Sequence, residues 1–196
     1  MKKNILLIFL SFVCINVFAQ TAIDTSKHLS FKSVPIDGSL KDYVAKMKKA
    51  GFSLSKSNGN YALLAGDFAG YKHCIVEVAT LTHKDLVNKI TVSFNACLNW
   101  ASLLSNYTSL KDLLTEKYGK PGMNEETFQG YITDNDDSKF YNVKVDRCKY
   151  YSTFVLGKGN IHLEITQDSN RVCFIKLTYT DKLNNETIKK VALDDL

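Results

Sequence analysis

The sequence predicts an α+β fold: antiparallel sheet covered by two main helices. Three observations carry this. Apolar and polar residues alternate along 90–94 and 161–165, the period of a half-buried strand. Two other segments, 40–49 and 99–119, repeat apolar residues every three or four positions, the period of a helix lying on a core. Short turns rich in Gly, Asn and Asp separate the strand-like runs, which suits up-and-down neighbours rather than parallel crossovers.

The chain opens MKKNILLIFLSFVCINVFAQ. Lys2 and Lys3 precede an apolar run at 5–18, and Val17 and Ala19 are small enough for the last positions before a cleavage site. The expectation is a signal peptide at 1–19, cut after Ala19, then a polar lead at 20–27 and a single compact α+β domain at 28–196. The run is shorter than the about 20 apolar residues of a spanning helix. The mature chain is therefore expected to have no membrane span and to be periplasmic or secreted. Lipidation at Cys14 is disfavoured by bulky Phe12 and Val13 ahead of it.

The folded part begins with HLSFKSV, where Leu29 and Phe31 alternate with polar residues as in a strand. Ser39 and Asp42 form a capping box, Leu40, Tyr43, Val44 and Met47 share one helical face, and Gly51 suits the helix end. FSLSK and YALLA read as a hairpin, with Asn58-Gly59 supplying positive φ angles at its turn. GDFAG then resembles a phosphate cradle only superficially. It lacks the Lys-Ser/Thr pair of a P-loop and the third glycine of a dinucleotide fingerprint, and a strand follows it. Gly66 and Gly70 read as a bend between strands.

VNKITVSF is the next strand, and NWASLLSNYTSLKDLLTEKYG the longer helix. Its expected stripe is Trp100, Leu103, Leu104, Tyr107, Leu110, Leu113, Leu114 and Tyr118, started by Asn99 and ended by Gly119 and Pro121. Residues 122–138 are polar and aperiodic, and 139–147 suits helix or strand equally. Asp134, Asp136 and Ser138 imitate the start of a calcium loop, but Lys139 and Val145 replace its glycine and closing glutamate. CKYYSTFVL, IHLEIT and VCFIKLTYT form a closing meander, and NNETIKKVALDDL adds a short helix or covers an edge. Helix-then-strands occurs twice, so the chain divides into analogous halves at 28–97 and 98–196, joined edge to edge or packed as separate lobes.

Cys74, Cys97, Cys148 and Cys173 are the disulfide candidates, with three possible connectivities. Their apolar strand contexts equally suit free cysteines acting as small hydrophobes. The formal charge of +5 is spread among interspersed acids, which is no footprint for nucleic acid. No metal set is complete, since His162-x-Glu164 supplies two ligands at most, and no cofactor motif is present.

Five stretches, FAQ at the cleavage site, PIDGSL, AGDFAGY, LLTEKYGKP and LTYTDKLNN, make the chain similar to uncharacterised exported proteins of the Bacteroidetes. That resemblance implies an envelope or secreted setting and no activity. The tandem helix-plus-meander plan also resembles secreted β-lactamase-inhibitor-like modules, which implies action by binding proteins.

The expected function is a non-catalytic binding protein with a protein or glycan partner. Aromatics crowd 128–154, and a patch of exposed Tyr131, Tyr141 and Tyr151 is the candidate surface. Against it stands burial, the ordinary fate of such rings. The alternative is a hydrolase or thiol enzyme, with Cys148 or Cys97 as nucleophile and His162 or His83 as base.

Overall fold

The computed structural model describes residues 27–81, 84–130 and 132–194. The leader at 1–19, most of the polar lead, His83 and Tyr131 lie outside them. The first described element is a miniature hairpin rather than the single strand expected at 28–34. β1 (Ser30–Phe31) and β2 (Val34–Pro35) pair antiparallel across Lys32 and Ser33, both at positive φ (50° and 63°). Leu29 and Phe31 are nevertheless buried, as the alternation requires.

α1 (Leu40–Lys49) starts as its capping box predicts: Ser39 Oγ accepts from Asp42 N at 3.2 Å and donates to the Asp42 carboxylate at 2.8 Å. It ends with Gly51 at φ 95°, while Phe52 N reaches back to Met47 O and Gly51 N to Lys48 O. That reversal drops Phe52 into the core.

β3 (Ser53–Ser57) and β4 (Tyr61–Phe68) form the expected hairpin, but by another turn. Neither Asn58 nor Gly59 adopts positive φ. Instead the Asn58 side chain accepts from Asn60 N and Tyr61 N at 2.9 and 3.0 Å, closing the turn itself. β5 (Tyr71–Leu81) follows a two-residue turn, Ala69-Gly70, at φ 51° and 85°. The register shifts beside Gly66, where a Cβ would stand 2.5 Å from the Phe52 ring. The glycines of GDFAG thus serve a bulge and a turn.

β6 (Lys84–Ser93) completes the first meander, and α2 (Trp100–Tyr118) opens the second half, capped by Asn99, which accepts from Ser102 N at 2.8 Å. The α2 stripe is narrower than expected. Trp100, Leu103, Tyr107, Leu110 and Leu114 are buried, whereas Leu104 and Leu113 face outward. The polar stretch after α2 contains β7 (Met123–Phe128), an edge strand, and α3 (Asp136–Lys144), which resolves the ambiguous segment as helix. β8 (Cys148–Leu156), β9 (Gly159–Gln167) and β10 (Cys173–Asp181) are the closing meander, and α4 (Lys182–Asp194) ends the described chain.

The long strands make one antiparallel sheet of eight, ordered β3-β4-β5-β6-β10-β9-β8-β7, beside the two-stranded β1-β2. Each half has a helix followed by four strands, with α3 inserted between β7 and β8 in the second, and the last strands of the halves, β6 and β10, pair with each other. The halves therefore join edge to edge.

One face of the sheet is the core face. Val76, Val92, Leu177, Leu163 and Phe154 are buried there with the α1 and α2 stripes in a single cluster. The N-terminal hairpin packs on that same side, Phe31 ring edge against Tyr179 at 5.3 Å between centroids.

Two buried polar side chains clip the halves together at one end. Asp181, fully buried, accepts from Leu29 N at 2.8 Å and Asn184 N at 2.9 Å, with His28 Nδ1 at 3.1 Å. Asn184 Nδ2 donates to Ile36 O and Val87 O, both in the first half. Asp181→Ala strands two buried donors, each costing about 1–3 kcal/mol. Urea unfolding should therefore show a loss of about 3 kcal/mol; a loss within about 0.5 kcal/mol, the ordinary surface range, contradicts the clip.

Candidate functional site: the open face of the sheet

Because strand side chains alternate, every residue facing the helices sends its neighbours to the opposite side. The α1 and α2 stripes and Val143 of α3 all pack on the core side, away from it. Across the seam, register aligns Glu125, Tyr151, Glu164, Lys176, Ser93 and Ile75 in one row. The next row holds Thr153, His162, Thr178, Thr91 and Glu77. The result is a mosaic of mixed charge.

These groups engage one another. Tyr151 Oη donates to Glu125 Oε2 at 3.0 Å, and its ring lies 5.5 Å from that of His162, tilted by 32°. His162 Nδ1 shares a 2.7 Å hydrogen bond with Thr153 Oγ1. Lys176 Nζ contacts Glu164 Oε1 at 2.7 Å, and His162 Nε2 stands 3.9 Å from the other carboxylate oxygen. Burial alone would raise the Glu164 pKa, but the nearby His162 ring and the Lys176 ammonium outweigh it and hold the carboxyl below its ordinary 4.5. The Glu125 hydrogen bond, with some burial, raises the Tyr151 phenol. Apolar Ile75, Met123 and Val155 add exposed area, at 44%, 55% and 61%.

Only part of the expected tyrosine patch is assembled. Tyr151 stands on the open face, as β8 alternation requires, while its neighbour Tyr150 packs against Trp100, Tyr107 and Phe128 on the core side. Tyr141 is 60% exposed but rides on α3, on the helix-covered side, so it does not share a surface with Tyr151. Tyr131 is outside the described residues.

The cysteines lie on the core side. Cys74, Cys97, Cys148 and Cys173 are buried free thiols. Burial raises all four thiol pKa values, that of Cys148 to about 12. His162 is on the other face of the sheet, so the structure does not bring it to Cys148 or Cys97; His83 lies outside the described residues. The acidic knot is a helix start: Asn135 accepts from Ser138 N at 2.7 Å and Asp134 pairs with Lys139. Among the described residues no group of three or more His, Cys, Asp or Glu could hold a metal.

Two grooves of about 520 Å³ each lie on the helix side, one between α1 and β3 and one between α2 and α3. In the first, the Asp85 carboxylate is engaged by Leu40 N at 2.7 Å. The second is lined by Trp100, Leu104, Ser105, Ser109, Asp136 and Lys139.

Co-facial His162 and Glu164 are legible in IHLEIT. Lys176 and Glu125 became visible as their neighbours only with the strand register. Compared with known proteins, the chain matches no family, no curated protein and no solved structure.

The Glu164 pairing has a pH signature. A depressed carboxyl pKa stabilises the fold above the unfolded value and loses that contribution as pH falls through the folded one. The advantage of the parent over Glu164→Gln should be present above pH 4.5 and be lost as pH falls below it, and for a pair that solvent still reaches it stays below about 1 kcal/mol. Parallel unfolding titrations across that window check it; an advantage that grows on acidification contradicts the pairing.

Proposed function

We propose that this chain is an exported binding protein that recognises another protein through the open face of its sheet. The observation that carries the reading is that face: wide, opposite the α1 and α2 stripes, and set with paired polar groups around Tyr151 and His162. Seven inter-strand spacings of about 4.8 Å make it about 34 Å across, and nine-residue strands run about 30 Å. That extent accommodates the about 800 Å² each partner contributes to a standard protein interface. A broad face without a cleft suits a protein surface better than a small ligand, which needs concavity.

The chemistry of the face points the same way. Charges paired within the face are less costly to cover than unpaired ones, and their mixed sign selects a partner of complementary pattern. Tyr151 and His162 present flat amphipathic rings with few rotamers to freeze, and the exposed Ile75, Met123 and Val155 supply apolar area. Export rests on the leader-like residues 1–19 of the sequence.

A photo-crosslinking residue at Thr178, central on the face, should capture one discrete protein from an envelope fraction, while the same probe at exposed Glu116 on α2 should not. Tyr151→Ala should weaken that association about tenfold or more, as for an aromatic anchor. Capture from Glu116 alone, or affinity unchanged by Tyr151→Ala, overturns the reading.

A further inference from the structure

We propose that Cys97 and Cys173 form a disulfide under oxidising conditions, a covalent staple across the outer end of the β6–β10 seam, with Cys74 and Cys148 remaining thiols.

The geometry is that of paired strands. Beyond the last registered pair of the seam, Ser93 with Lys176, the chain continues in contact: Phe94 N donates to Ile175 O at 3.0 Å and Cys97 N to Cys173 O at 2.9 Å. Cys97 and Cys173 are antiparallel bridge partners. Residues directly opposite in such a pair have Cα atoms about 4.5–5.5 Å apart and side chains on the same side. That spacing falls inside the about 4.4–6.8 Å that a disulfide spans. Both side chains are buried on the core side.

No other pairing has this placement. Cys74 is opposite Gly66 on β4. Cys148 lies on β8, separated from Cys173 on β10 by the whole of β9, two spacings or about 9.6 Å across the sheet, beyond disulfide reach.

Closing the bond displaces only weak sulfur contacts. Cys97 Sγ lies 3.9 Å from Asn95 O and accepts from Asn106 Nδ2 at 3.4 Å, while Cys173 Sγ lies 3.7 Å from Arg171 O. A disulfide oxidant such as oxidised glutathione balances the step. The Cys97 thiolate attacks one of its sulfurs and releases one reduced glutathione. The Cys173 thiolate then attacks the Cys97 sulfur of the mixed disulfide and releases the second, so that both thiol hydrogens end on glutathione. Burial, which raises both thiols, makes this slow in the finished fold and favours closure during folding.

The staple encloses α2, β7, α3, β8 and β9, a loop long enough for a large constraint on the unfolded chain. It should raise the melting temperature by about 10 °C, allowing for chain size.

The test refolds the full chain with oxidised and reduced glutathione, alkylates free thiols, and maps peptides without reduction. The expected result is a single linked pair, Cys97 with Cys173, and alkylated Cys74 and Cys148. The double variant Cys74→Ala/Cys148→Ala should keep a melting temperature that reductant lowers, and Cys97→Ala/Cys173→Ala should lose that sensitivity. Alkylated Cys97 and Cys173 under oxidising refolding, or linkage of either to Cys74 or Cys148, overturns the proposal.

Discussion

The antiparallel pairing of β6 with β10 is the constraint on which the rest of this structure depends. Five registered pairs, from Lys89 with Thr180 to Ser93 with Lys176, convert two four-stranded meanders into one eight-stranded sheet. Without that seam each half would present an apolar edge strand to solvent, since Ile90, Val92, Leu177 and Tyr179 are all buried. The edges that remain are of a different kind. β3 is exposed along its length, carries Lys56 and a register shift, and β7 carries Glu125 and Glu126. Both are edges that resist further pairing.

A second consequence concerns the two faces. The α1 and α2 stripes, the N-terminal hairpin and the buried Asp181 and Asn184 all lie on one side, so the core is continuous across the seam. The other side must then be stable in water by its own composition. It is so through short-range pairing: Tyr151 with Glu125, His162 with Thr153, Lys176 with Glu164. The same seam that fuses the core therefore carries the open face across both halves, with these pairs on the β7–β10 side of it. Those are the properties the proposed binding role uses.

Much of the architecture is written locally. Ser39 and Asn99 announce their helices because each side chain has one nearby orphan amide to satisfy, and the closing meander is explicit in IHLEIT and CFIKLTYT. β7 is hidden because an edge strand facing solvent on most sides has no alternation to show. α3 is hidden for a related reason, burying only Asn142 and Val143, of which one is polar. The periodicity overstates the α2 stripe at Leu104 and Leu113 because a narrow contact with the sheet needs fewer apolar positions than the helix carries. At Asn58-Gly59 the side chain, not the backbone, closes the turn. The candidate site divides in the same way. Which residues share a face follows from period two within one strand, but which strands are neighbours is a tertiary fact. For that reason Lys176 beside Glu164, and Cys97 opposite Cys173, could not be read from the chain alone.

The seam itself can be measured by native-state hydrogen exchange of individual amides. If the sheet is one cooperative unit, the seam amides of β6 and β10 exchange only through global unfolding, as slowly as the slowest amides inside either meander. Seam amides exchanging markedly faster than the interiors of both meanders would mean that the halves open from one another, and would contradict the account.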